Sequence, residues 1–389
     1  MIRPTIARVD LGAITSNYRH LVEFLAETSA RDAPREDARP RRTTGGPGVI
    51  AVVKANAYGH GAGQVARALE DAGADLLACA DIEEGADLRA AGVRAGILVF
   101  GALSVSDLDG LFDCGLTPTI STPGAARAVQ AAAAKYKRRL RYHLKIDTGM
   151  NRLGFRHDHL RASLPELLAS RNLECEAVYT HFATADDLEL PLFDEQRRRF
   201  ERALAEVEGM HAAARPWYVH AANSAAMLRD PRVWHDRVRP GLLLYGVVPP
   251  PLSSTLPLVP AMTLVSRVVA AKGVRPGESV GYGSQFVATR PATIAIVPAG
   301  YADGLDVRLG GRGAVLIRGR RAPVIGAVSM DMLAADVTDC EVSPGDQVVI
   351  LGSQGRDRID VSEMARAIGT IPYEVLCRIG SRIERVYNG

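Results

Sequence analysis

The sequence predicts an α/β protein: a (β/α)8 TIM barrel followed by a mainly antiparallel β C-terminal domain. Three observations carry this. Short apolar runs alternate with amphipathic, Ala-rich stretches through the first two thirds of the chain, the pattern of a parallel sheet with helices outside. The rhythm breaks at the Pro-rich stretch GVVPPPLSSTLPLVP, residues 246–260, and β-rich runs with Gly and Pro turns follow. A length of 389 residues suits one barrel of roughly 250 residues plus a further domain.

In chain order, residues 12–25 read as a helix, with Ile14, Tyr18, Leu21 and Leu25 at helical spacing. Residues 27–48 are polar, charged, rich in Pro and Gly and without periodicity, and read as a mobile surface insertion. Barrel strands are expected near 49–53, 76–80, 97–100, 117–121, 142–146, 175–180, 217–220 and 237–245. Helices are expected at 62–72, 82–91, 123–137, 158–170 and 194–213. The runner-up is an open doubly wound sheet; its dinucleotide-binding form is weakened because no G-x-G-x-x-G follows the first strand. The domain assignment is 1–255 for the barrel, with the first few residues pairing with the second domain, and 256–389 for that second domain. There the strands are expected at 262–270, 292–297, 314–318, 323–328, 333–337 and 347–351, with helices only at 361–368 and 373–382.

Composition excludes several functions. A formal net charge of +3 argues against a broad nucleic-acid surface, and the basic run 135–141 reads as a solvated helix end. No apolar run approaches the roughly 18 residues of a membrane span. The N-terminus lacks the apolar core of a secretory signal. Five scattered cysteines with no CxxC pair read as reduced, mostly buried thiols of a cytoplasmic protein. No metal is expected. Of 47 basic residues only five are lysines, Lys54, Lys135, Lys137, Lys145 and Lys272, so amine chemistry has few candidates.

In such a barrel, reactive groups collect at the C-terminal ends of the strands. Reading those ends gives Lys54, then Lys145-Ile-Asp147 running on to Arg152, then His181, then His220-Ala-Ala-Asn223-Ser224, then Arg239-Pro-Gly241 running to Tyr245. Any one of these alone is better explained by packing; the argument rests on polar groups recurring at the same end of several strands. Lys54 leaves an apolar strand, so it is either a partly desolvated amine with a lowered pKa or one half of an ion pair.

AVVKANAYGHG at 51–61 resembles the pyridoxal-phosphate (PLP) signature of the alanine racemase family. KIDTGMNRLGF, YTHFATAD, HAANSAA, RPGLLLYG, VGYGSQF, GYADG, SMDM and IPYEVLCRIGSRIERVY resemble the family's further blocks, in order. Together they span nearly the whole chain apart from residues 27–48. The resemblance implies a PLP-dependent isomerase that interconverts L- and D-alanine and, in bacteria, feeds peptidoglycan synthesis. It implies a head-to-tail homodimer with active sites at the subunit interface.

The same resemblance assigns residues. Lys54 matches the lysine that binds PLP covalently and serves as base on one face of the substrate. Tyr282, flanked by Gly281 and Gly283, matches the tyrosine that the partner subunit supplies as base on the other face. His181 and Arg239 match the histidine and arginine that support this tyrosine, and Arg239 also faces the ring nitrogen of PLP. An arginine cannot accept a proton there, so the electron sink is weaker than with an acidic partner. Tyr58, Ser224, Gly241, Leu242 and Tyr373 match the phosphate-binding set, with Asn223 beside it. Arg152 matches the arginine near the PLP hydroxyl and the substrate carboxylate. Tyr301 and Met330 match partner-subunit residues at the substrate entrance, with Asp331 supporting the Met330 loop. Lys145 matches a lysine carbamylated in some members; otherwise it pairs with Asp147 or a nearby acid. Ser329 stands where many members carry cysteine.

Two alternatives share the fold: a serine or broad-specificity racemase, and a barrel-type PLP decarboxylase, which would place an acid where Arg239 stands. A non-catalytic PLP-binding barrel would lack the domain that carries Tyr282, Tyr301 and Met330.

Overall fold

The computed structural model describes residues 4–31, 46–103, 107–210 and 217–389. They form two compact units. One comprises the described residues of Ile14–Ala57 and Ala62–Leu258; the other comprises those up to Ala13, Tyr58–Gly61 and Val259–Gly389.

In the first unit eight parallel strands close into a barrel. They are Gly48–Val52, Leu76–Cys79, Gly96–Val99, Thr117–Ile120, Leu140–Asp147, Leu173–Tyr179, Tyr218–Asn223 and Arg237–Arg239. The last pairs with the first, Val238 opposite Val49, which removes both sheet edges. Leu76–Cys79 is buried at all four positions, as a strand covered on both faces requires. The interior departs from the stacked aliphatic layers usual for this architecture. Thr119, His143, Lys145, His220 and Arg239 are buried polar or charged groups on four of the strands. A polar interior is tolerated only if its members satisfy one another.

Several sequence expectations are corrected. The eighth strand stops at Arg239, and Leu242–Tyr245 is a 3-10 turn. Pro240 has no N–H to continue a ladder, and Gly241 turns the chain. Arg239 therefore ends its strand instead of beginning it. The first strand ends at Val52, before Lys54. The sixth ends at Tyr179, two residues before His181, and the seventh runs past His220 to Asn223. The helix expected at 12–25 extends over Leu11–Arg31, so the start of the 27–48 segment is helical; residues 32–45 lie outside the described residues. The helix expected at 158–170 is two short ones, Leu160–Ser163 and Pro165–Leu168, divided where Pro165 lacks a donor. Only Cys79 is buried; Cys377 is exposed and the other three are intermediate, and all five are free thiols.

The second unit is built on a long sheet. Its strand order is Ala270–Val274, Ala292–Val297, Leu333–Asp336, Arg320–Ile325, Ala314–Ile317, Gln347–Gln354, Met262–Arg267, Ile6–Asp10 and Glu384–Asn388. All neighbours are antiparallel except Ile6–Asp10 with Glu384–Asn388. The buried side chains Val274, Val280, Ala288, Ile294, Ile325 and Ala334 form one of its apolar clusters. The helix Val361–Ile368 is capped by Asp360, whose carboxylate accepts the Glu363 N–H. The second expected helix spans only Pro372–Cys377.

Candidate active site

The chain leaves the first barrel strand through a backbone conformation that L-residues avoid. Ala55, Asn56, Ala57 and Tyr58 have φ of 52°, 53°, 54° and 52°, a left-handed turn directly after Lys54. Each such residue costs roughly 1–2 kcal/mol. Two side chains hold the turn. Asn56 Oδ1 accepts the Ala62 N–H at 2.7 Å. The Glu84 carboxylate accepts the Ala55 N–H and, with its other oxygen, the Ala80 N–H, both at 2.7 Å. The residue that follows Lys54 is thereby tied to the end of the second strand.

Arg239 is anchored inside the barrel by four hydrogen bonds. Its guanidinium donates to His220 Nδ1 at 2.7 Å, to the carbonyls of Thr180 and Ala221 at 2.8 Å, and to His181 Nδ1 at 3.4 Å. Burial pulls it down to about 10. His181 is held well below the usual histidine range by burial, then by Arg239, Lys145, Lys54 and Arg152. It is therefore neutral near pH 7. Because arginine only donates, His181 Nδ1 is the acceptor and its proton sits on Nε2. Gln196, wholly buried, donates to the His181 carbonyl at 3.0 Å and accepts the Ala183 N–H at 2.8 Å, fixing this loop.

Lys145 is buried beneath the same group of cations. Burial, then Arg152 and Arg239, pulls its amine down to about 8. The expected pairing with Asp147 is not made. The Asp147 carboxylate instead accepts the N–H groups of Gly149 at 2.9 Å and Asn151 at 3.1 Å. Among the described residues no acid lies within 4 Å of the Lys145 amine. Both Lys145 and Arg239 lie over the Tyr179 ring, 5.7 Å and 5.2 Å from its centre.

Ser224 opens the helix Ser224–Arg229, and its hydroxyl accepts the Gly241 N–H at 2.8 Å. Asn223 caps that helix, its carbonyl oxygen accepting the Ala226 N–H. The Leu242 side chain is fully buried, so only its backbone is available to a ligand.

The second unit carries the remaining candidates. Tyr58 and Tyr373 face each other with ring centres 5.9 Å apart. Burial, then the neighbouring Tyr373, pushes the Tyr58 phenol far up, so it remains an O–H donor. Tyr282 lies in a short 3-10 turn and is 77% exposed. Gly281 has φ 76° and ψ −176°, a region open essentially to glycine alone. Tyr301 and Met330 are brought together by backbone crossing: Tyr301 N–H donates to Ser329 O at 3.0 Å and Ala302 N–H to Met330 O at 3.1 Å. A Cβ on Gly300 would stand 2.3 Å from both of those carbonyls, so the crossing needs glycine. Asp331 pairs with Arg382 at 2.7 Å. Ser329 Oγ donates to Met332 O at 2.8 Å, closing the turn.

The chain matches the model of the alanine racemase N-terminal domain over residues 37–249 and that of the C-terminal domain over residues 261–387. The chain belongs to the alanine racemase family. It is 42% identical to the alanine racemase of Carboxydothermus hydrogenoformans, over 99% of this chain and 100% of that one. The alanine racemase of Symbiobacterium thermophilum is 40% identical, over 100% and 98%. Among solved structures, alanine racemase from Streptomyces lavendulae superposes with a TM-score of 0.89 at 35% identity, covering 100% of this chain and 98% of that one. The Bacillus anthracis enzyme with bound L-Ala-P gives 0.87 at 34%, covering 100% and 96%. As an alanine racemase the protein is an isomerase, and the family's reaction is the interconversion of L- and D-alanine.

Three supporting groups around these residues, Glu84, Gln196 and His143, carry no signal of that role in the sequence. Glu84 sits in an acidic first turn, and Gln196 in the charged run DEQRRRFE. Their neighbours make them look like solvated helix positions. Only the fold turns them inward.

Proposed function

We propose that this protein is a PLP-dependent alanine racemase that works by two bases, Lys54 on one face of the substrate and Tyr282 of the partner subunit on the other. The observation that carries this reading is the gathering of Lys54, Lys145, Arg152 and Arg239 around His181, where their charges add to burial in keeping that ring neutral. Four cations at one barrel end call for an anionic ligand, and a phosphorylated cofactor with a carboxylate substrate meets that need.

The residues fit PLP. Lys54 would supply the amine for its aldehyde carbon, and Arg239 would face its ring nitrogen. Tyr58, Ser224, Tyr373 and the backbone N–H of Leu242 would supply neutral donors for its phosphate, with Gly241 N–H, donating to Ser224 Oγ, turning that hydroxyl's proton toward it; Arg152 would serve its hydroxyl and the substrate carboxylate. When bound, PLP withdraws electron density from the substrate α-carbon and so loosens the α-proton. The chain's own groups then decide where that proton goes. The Lys54 amine takes or returns it on one face. A phenol is a poor base near neutral pH unless a donor stabilises its anion. The Nε2 proton of His181 is the donor suited to the Tyr282 oxygen, because its Nδ1 already accepts from Arg239. Arg239 can only donate, so a ring nitrogen facing it would accept its hydrogen bond and stay unprotonated, which would limit charge build-up at the α-carbon.

Carbamylation of Lys145 would turn a cation beneath Arg152 into an anion that positions it. The exposure of Tyr282, Tyr301 and Met330, at 77%, 45% and 51%, supports a homodimer in which they meet the partner's barrel. A cytoplasmic enzyme supplying D-alanine for peptidoglycan follows from this reading.

The test is a racemisation assay of purified protein across small L- and D-amino acids, with and without added PLP. Alanine turnover that needs PLP, and that Lys54→Ala abolishes together with the visible absorbance of the bound cofactor, supports the reading. Racemisation persisting in Lys54→Ala overturns it. Serine turned over as fast as alanine would favour the broad-specificity form.

A further inference from the structure

Beyond the groups that meet the ligand, the barrel interior holds a line of histidines with no part in the mechanism above. Arg239 donates to His220 Nδ1 at 2.7 Å. His220 Nε2 stands 3.1 Å from His143 Nδ1. His143 Nε2 stands 2.9 Å from the Tyr218 oxygen and 3.5 Å from Glu176 Oε2. Both imidazoles have no solvent exposure at all. Glu176 lies toward the outer end, where Arg141 reaches its other oxygen at 3.4 Å.

The chemistry of arginine gives this line one direction. A guanidinium can only donate, so His220 Nδ1 must be an unprotonated acceptor. His220 then carries its proton on Nε2 and donates it to His143 Nδ1. His143 in turn must carry its proton on Nε2 and donate toward Tyr218 and Glu176. Neither ring can become imidazolium while the line is intact, since each needs a bare Nδ1. The Tyr179 ring, stacked on His220 at 4.5 Å between centres, closes the side of the column.

We propose that His220 and His143 form a one-way hydrogen-bond column that positions Arg239, with Tyr218 and the Glu176 carboxylate as its terminal acceptors. Arg239 has no carboxylate among its hydrogen-bond partners in the described residues. The column supplies it with a strong neutral acceptor and points the donors away from it, toward the nearest anion on the line. His143 and His220 are thus positioning residues: they act on the reaction through Arg239. The charged or titratable groups facing them are Arg239, Arg237, His235 and Glu176.

The inference rests on the reading of Arg239 as the partner of the cofactor's ring nitrogen, and the experiment separates the two. In holoenzyme labelled with 15N-histidine, long-range 1H–15N spectra report which ring nitrogen is protonated. His143 and His220 should both show a bare Nδ1 and a protonated Nε2, unchanged from pH 5.5 to 8.5. An Nδ1-protonated form or an imidazolium at either ring overturns the column, whatever the enzyme turns over. In His143→Leu, alanine turnover (kcat) should fall at least tenfold with KM within threefold, and the absorbance maximum of the bound cofactor should shift. His143→Gln, which can still accept from His220 and donate to Tyr218, should stay within threefold of the parent in kcat. A His143→Leu enzyme with unchanged spectrum and kcat overturns the positioning role. If that variant does not fold, the spectra of the parent decide the column and the His143→Gln comparison decides the role. A chain that binds no PLP would sink the earlier reading and leave the two imidazoles to be judged by their nitrogens alone.

Discussion

The carboxylate of Glu84 accepts the backbone N–H of Ala55 at 2.7 Å, one residue beyond Lys54. Its second oxygen holds Ala80 at the same distance, so one side chain spans the exits of two neighbouring strands. Removing it leaves two backbone donors to find water and removes a support of the left-handed turn. Glu84→Ala should destabilise the protein by about 1–3 kcal/mol and weaken PLP retention at least tenfold. Thermal melting of the holoenzyme and spectrophotometric PLP titration check this. Retention equal to the parent would show that the turn holds itself.

Tyr282→Phe should damage the two directions unequally. Exchange of the α-proton with solvent deuterium should slow far more for one alanine enantiomer than for the other, because the base on the opposite face is untouched. Proton NMR in deuterium oxide follows both. Equal loss for both enantiomers would count against bases on opposite faces.

Lys145 should take up carbon dioxide as its amine becomes neutral. With its value drawn down to about 8, the reactive fraction rises steeply between pH 7 and 9. A carbamate carbon signal from 13C-bicarbonate should grow over that range and be missing in Lys145→Ala. The parent showing no such signal at pH 9 would leave Lys145 as a plain amine.

Stability should fall on acidification for a reason located in the barrel. Burial holds His143 and His220 below the usual histidine range. The unfolded chain, with values near 6.5, then binds more protons than the folded one. Stability is full above about 6.5 and is lost as pH falls below it, by about 1.4 kcal/mol per pH unit for each ring. Denaturant titrations at pH 7.5, 6.5 and 5.5 measure the slope, and His143→Gln should reduce it by one proton.

Much of this was legible in the chain itself. The alternation of apolar runs and Ala-rich stretches located all eight barrel strands, because both periods are local. The interior of the barrel was not legible. His143 and Glu176 lie in strands whose neighbours read as ordinary, and only ring closure aligns them with His220. The left-handed turn was equally hidden, since Ala55 and Ala57 are residues that ordinarily favour right-handed helix. Ile6–Asp10 is legible only as a start that pairs with the second domain; which strands flank it is not, since Met262–Arg267 and Glu384–Asn388 come from the far end of the sequence.

That last pairing bears on how the molecule is made. Ile6–Asp10 is made well before the strand beside it, Glu384–Asn388, which lies more than 370 residues further along the chain. At roughly 5–20 residues per second it waits on the order of tens of seconds with an edge uncovered. Every strand of the barrel has emerged well before then. The unit that carries Tyr282 therefore completes its sheet only once Glu384–Asn388 has emerged, so its assembly waits until the whole barrel has been made.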